Sequence, residues 1–137
     1  MKTLTLRNAI AFLLCLAIAA SVLLAFAAES RDTWLGTWEG QYKQGFLDTA
    51  LVVEKIDGDK ASTVYKWGTS QAWGIRQPGE QKLEAKLLDD KTMQIEIPNN
   101  SGIGIWATVT YTLQDDGNVT AKYVNRYGSF YAILKKK

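Results

Sequence analysis

Ile103-Gly104-Ile105-Trp106-Ala107-Thr108-Val109-Thr110-Tyr111-Thr112-Leu113-Gln114 decides the fold class. From Ile105 onward the residues alternate without a break. Ile105, Ala107, Val109, Tyr111 and Leu113 fall on one face, and Trp106, Thr108, Thr110 and Thr112 on the other. Side chains of an extended chain point to opposite faces at period two, so this is a strand with one face buried. β-branched and aromatic residues, which suit a pleated surface, fill both faces. The run ends at Asp115-Asp116-Gly117, a hairpin turn.

The same pattern extends in both directions. Upstream, Met93, Ile95 and Ile97 oppose Thr92, Gln94 and Glu96, while Leu83, Ala85 and Leu87 oppose Lys82, Glu84 and Lys86. Turn signals divide the chain into eight expected strands: 36–43, 47–56, 61–67, 81–88, 92–97, 103–114, 118–125 and 129–135. Asp57-Gly58-Asp59 is a tight hairpin, Gly58 supplying positive φ. The longest interruption is 68–79, with Gly74, Pro78 and Gly79. No helical stripe follows residue 28. The expectation is an all-β domain, a single antiparallel eight-stranded up-and-down barrel, which leaves no open edge. A small two-sheet sandwich is the alternative.

The first 27 residues read differently. Lys2 and Arg7 precede an uncharged apolar run, 9–24, that ends in Ala25-Phe26-Ala27, with small residues where a signal peptidase reads them. This is the layout of a secretory signal helix over 1–27, with a barrel domain over 28–137. The expected location is exported, periplasmic or secreted. The alternative is an uncleaved anchor over 9–28, long enough to span a bilayer, and membrane attachment is expected only in that case. Cys15 is preceded by Leu14, not a small residue, which argues against lipidation.

Beyond residue 27 there are 14 basic and 14 acidic residues, so the domain is neutral. That balance argues against electrostatic nucleic-acid binding. There is no histidine, and Cys15 is the only cysteine. Thiol catalysis, a Ser-His-Asp triad and nearly all zinc or copper sites are thereby excluded. The Asp pairs at 89–90 and 115–116 lie in turns, where Asp satisfies local backbone donors. The expectation is a protein with no catalytic residues, metal or cofactor.

Gly36-Thr37-Trp38, opening the first strand, resembles the start of the calycins: lipocalins, avidins and fatty-acid-binding proteins. The resemblance implies a barrel whose closed end is plugged by Trp38, with a basic residue near the last strand, Arg126 or Lys135, covering it. It supports the architecture and does not by itself transfer a ligand. The lipocalin disulfides, C-terminal helix and remaining signatures are missing, as are the avidin biotin residues. The stretches 51–56 and 64–68 also resemble a small β domain of secreted bacterial proteins.

All five tryptophans and all six tyrosines lie beyond residue 27. Tyr42 shares a strand face with Trp38, Tyr65 shares one with Trp67, and Tyr111 and Tyr123 fall on apolar faces. If those faces line the barrel, its interior is aromatic with hydroxyl handles, suited to a small apolar or aromatic ligand. The alternative is that these side chains simply fill the barrel, leaving only its rim for binding. Trp73, in the long loop with Arg76, and Trp106, on a polar face, are candidates for binding a ligand, or a protein or glycan partner. Glu54 shares a face with Ala50, Val52 and Ile56 under strict alternation. It points inward if that face does, where it would orient a ligand or pair with Arg126; the favoured alternative is a strand-end Glu that reaches solvent.

Overall fold

A computed structural model describes residues 31–137. The expected signal over 1–27 and its cleavage end lie outside the described residues. Eight strands follow in order: β1 (Gly36–Tyr42), β2 (Leu47–Asp57), β3 (Lys60–Trp67), β4 (Gly79–Asp89), β5 (Thr92–Pro98), β6 (Ile105–Leu113), β7 (Val119–Asn125) and β8 (Gly128–Lys136). Each pairs antiparallel with its neighbour in sequence. β8 returns to β1 through pairs running from Trp38–Lys136 to Tyr42–Ala132, which closes the barrel. The up-and-down barrel is the observed fold, and the sandwich is not. Closure gives every strand two partners, although β4 and β5 pair only near their shared turn, through Lys86–Gln94, Leu87–Met93 and Asp89–Thr92.

The period-two pattern places the core as expected along most of the chain. Trp38 and Tyr42 of β1, Leu51 of β2, Met93 and Ile95 of β5, Val109 and Tyr111 of β6, and Leu134 of β8 are all buried. Three register shifts interrupt the alternation, in β2, at the end of β4 and in β6, and the first and last bear on the candidate residues. In β2, Val53 pairs with Thr63 but Lys55 pairs with Ser62, so Glu54 is an extra residue. Leu47, Thr49, Leu51 and Val53 point inward before the shift, and Ile56 packs against the core after it. Glu54 is therefore exposed on the outer surface. Strict alternation had grouped it with Ile56, and the bulge separates them. In β6, Ile97 of the neighbouring strand pairs with Ala107 and Pro98 with Ile105, leaving Trp106 between them. Ile105 consequently faces solvent instead of joining the inward face of Val109 and Tyr111.

The end of the barrel where β1 begins is plugged by two tryptophans. The Trp38 indole N–H donates to the Trp34 carbonyl at 2.9 Å, and the rings lie 6.1 Å apart. The Trp34 indole N–H in turn donates to the Asp90 carbonyl, 2.9 Å away in the β4–β5 turn. Buried indoles thus keep their single donor satisfied. The cation over Trp38 is Lys136, with its Nζ 5.4 Å from the ring centroid, and not Arg126 or Lys135. The reason is again alternation: Ala132 and Leu134 point inward, Lys136 continues their face, and Lys135 points out.

Candidate functional site

The sequence expectation left two readings of the interior, filled or hollow, and the structure divides them by depth. The plugged end and middle are filled by Trp38, Leu51, Met93, Ile95, Val109 and Leu134. Above them lies a layer of phenols. The Tyr42 and Tyr65 hydroxyls share a hydrogen bond at 3.3 Å. The Tyr111 hydroxyl is buried with no hydrogen-bond partner. Burial raises the Tyr65 phenol above its ordinary value near 10 and the Tyr42 and Tyr111 phenols well above it, because a phenolate would lose its hydration there. The neighbouring phenols add further repulsion at Tyr42 and Tyr111.

Over this layer the open end forms a cleft of about 310 Å³. Its walls are aromatic: Tyr65, Trp67, Trp73, Trp106 and Tyr123. Gln81, Asn99 and Asn100 add amides, and no carboxylate, lysine or arginine lines it. Trp73, Ile75, Trp106 and Tyr123 also border a second cleft toward Tyr127 and Phe130. These four side chains therefore form the partition between two lobes of one open end.

Each wall is built by a specific local device. The long loop is not loose: Ser70 and Ile75 exchange backbone hydrogen bonds at 2.9 Å. The Ser70 hydroxyl donates to the Gly45 carbonyl at 2.7 Å and accepts from the Trp73 backbone N–H at 3.3 Å. These bonds carry Trp73 back over the barrel mouth, edge-on to Phe130 at 4.7 Å and 6.4 Å from Tyr42. A Cβ at Gly45, whose φ is +90°, would come within 2.5 Å of the Trp73 indole nitrogen. Gly79 likewise makes room for Trp67, whose Cε2 would lie 2.6 Å from an added Cβ. Trp106 is brought to the mouth by the β6 irregularity, where its indole N–H donates to the Tyr123 hydroxyl at 3.0 Å. Burial raises the Tyr123 phenol, and that hydrogen bond opposes the rise. Arg126 sits at the rim with its guanidinium 4.8 Å from the Tyr127 ring and 5.7 Å from the Trp106 ring.

The expected site residues thus separate into groups. Tyr65, Trp67, Trp73, Trp106 and Tyr123 meet around the cleft. Tyr42 and Tyr111 lie in the buried layer beneath it. Arg126 braces the rim, and Glu54 is on the outer surface, remote from this constellation and from Arg126. Ile75, Gln81, Asn99 and Asn100 were missed. They come from loop tips and strand ends, where period-two reasoning has no hold. Among the described residues no group of three or more acidic side chains is placed to hold a metal ion. The lining supplies ring faces and neutral hydrogen-bonding groups, which suits binding.

No protein-family model matches the chain, and no curated protein does. Among solved structures the chain is similar to a redesigned β-barrel, with a TM-score of 0.58 and 15% sequence identity over 79% of this chain and 95% of that one. At that identity the likeness is one of fold: an eight-stranded antiparallel β-barrel.

Proposed function

We propose that this is an exported, calycin-like barrel that binds a small, uncharged apolar or aromatic molecule at its open end. The cleft walled by five aromatic side chains over a packed floor is the observation that carries this reading. Ligand sites are characteristically concave and mostly apolar, with a few polar groups that fix orientation. Gln81, Asn99, Asn100 and the Tyr123 hydroxyl are such groups. The plug at the opposite end leaves the mouth as the point of access. Binding at the mouth also accords with the filled interior, since the ligand rests on the phenol layer instead of entering the barrel.

The test is a titration with the uncharged fluorophore N-phenyl-1-naphthylamine, which brightens on burial. Wild-type protein should show a saturable, single-site rise. Trp73→Ala should leave the melting temperature within about 3 °C, because half-buried loop side chains contribute little to a core. It should weaken binding about tenfold or more, the effect of removing an aromatic wall. A linear, unsaturable signal, or a Trp73→Ala protein that unfolds while its folded fraction binds unchanged, refutes the assignment. Export rests on the sequence of residues 1–27, and N-terminal sequencing of the exported protein should find a start near Ala28. An intact Met1 in a membrane fraction would favour the anchor.

A further inference from the structure

Among the described residues, the three most exposed large apolar side chains are Ile103 (81%), Phe46 (75%) and Tyr127 (68%). They come from three separate loops, 43–46, 99–104 and 126–127, and the strand order brings all three loops to the open end. A soluble domain normally keeps such side chains apart or covered. Phe46 is also held in an uncommon backbone state: its φ of +52° makes it the one positive-φ non-glycine among the described residues. A bulky residue in that region marks a position where the chain is held against its own preference.

Charge is divided between the two ends as well. The four open-end loops, 43–46, 68–78, 99–104 and 126–127, contain Lys43, Arg76 and Arg126 and no carboxylate. The nearest acids, Asp48 and Glu80, lie within β2 and β4 behind the tips, bonded to Gln41 and facing Lys66. At the opposite end the turns and their flanks carry Asp57, Asp59, Asp89, Asp90, Asp115 and Asp116, alongside Lys60, Lys91 and the basic tail 135–137. Apolar tips interleaved with cations at one end of a neutral domain fit a surface that is apolar below and anionic at its face.

We propose that the open end docks onto an anionic lipid bilayer, with Phe46, Ile103 and Tyr127 entering the headgroup region and Lys43, Arg76 and Arg126 meeting lipid phosphates. This goes beyond small-molecule binding. It presents the mouth of the cleft to the phase in which an apolar ligand is dissolved.

The experiment is vesicle co-sedimentation of the exported protein. Vesicles of mixed phosphatidylcholine and phosphatidylglycerol are compared with pure phosphatidylcholine, and brominated lipids are included to quench tryptophans that reach the bilayer. Trp73 and Trp106 are at the open end, whereas Trp34 and Trp38 are buried at the other, so quenching reports which end is in contact. Wild type should bind the anionic vesicles, be quenched, and release as salt is raised. Phe46→Ser with Ile103→Ser should bind about tenfold more weakly or worse through loss of apolar insertion. Lys43→Ala with Arg76→Ala should lose about 25-fold, at about fivefold per cation. None of these four residues lines the cleft, so fluorophore binding should survive in both double variants and separate this proposal from the previous one. No sedimentation with anionic vesicles, equal sedimentation by the loop variants, or sedimentation without quenching overturns the docking mode. The last two outcomes would point to the basic tail or the N-terminal segment.

Discussion

Gly40→Ala should unlock the barrel at its closing seam. Gly40 lies on β1 between Trp38 and Tyr42, opposite Thr49 of β2 and Leu134 of β8. A Cβ there would overlap the Ile133 carbonyl oxygen and stand 2.6 Å from Leu134 Cδ2. Carbon atoms normally rest at about 3.5–4.0 Å, so the strands must part by about 1 Å or the Leu134 side chain must leave its rotamer. Rotation relieves the second contact but not the first, which is to backbone. Two effects oppose each other. Alanine loses less chain entropy than glycine on folding, a gain of about 0.5–1 kcal/mol. Overpacking a filled core costs about 1–3 kcal/mol, and a backbone contact belongs at the upper end. The net loss should be about 2 kcal/mol, or about 10 °C in melting temperature for a domain of this size. Urea unfolding followed by tryptophan fluorescence measures it, and faster amide exchange along β8 should localise it. An unchanged or raised midpoint would mean that β1 and β8 do not approach this closely, and the closed barrel would be in error.

Two further outcomes follow from the core. Trp38→Ala removes a ring that is 1% exposed and leaves the Trp34 carbonyl without its donor, so it should cost about 3–5 kcal/mol by denaturation; a loss below about 1 kcal/mol places Trp38 outside the core. The phenol layer predicts alkaline lability. Tyr42, Tyr65 and Tyr111 ionise near 10 when unfolded but are raised when folded, so the folded state holds more protons above that pH. Stability should be level below pH 10 and fall as pH rises beyond it. Phenolate absorbance should then appear together with unfolding, and the fall should be shallower in Tyr111→Phe, which also discards an unpartnered buried hydroxyl. Stability that is level through pH 11 would contradict the buried layer.

Strand number, barrel order and the burial of Trp38, Tyr42, Tyr65 and Tyr111 were legible because burial on one face imposes period two on the sequence. What strict alternation misplaced were Ile56, grouped with the outward Glu54 although it packs against the core, and Ile105. Each sits beside a register shift, where one extra residue inverts the phase, and that shift is a property of the pairing partner as much as of the strand itself. The Trp34 half of the plug leaves no trace in the sequence pattern, because its partner is a carbonyl 56 residues away in the β4–β5 turn. At the mouth the aromatic walls were anticipated, whereas Ile75, Gln81, Asn99 and Asn100 were not. Loop conformation brings them to the cleft, and local hydrogen bonds such as those joining Ser70 to Ile75 and Gly45 leave no periodic trace.

Native mass spectrometry of the exported protein, purified from its own host without detergent, tests the central reading most directly. Wild type should carry a uniform small-molecule adduct that Trp73→Ala loses. A bare polypeptide mass for wild type, or an adduct retained undiminished by Trp73→Ala, would contradict a ligand site at the open end.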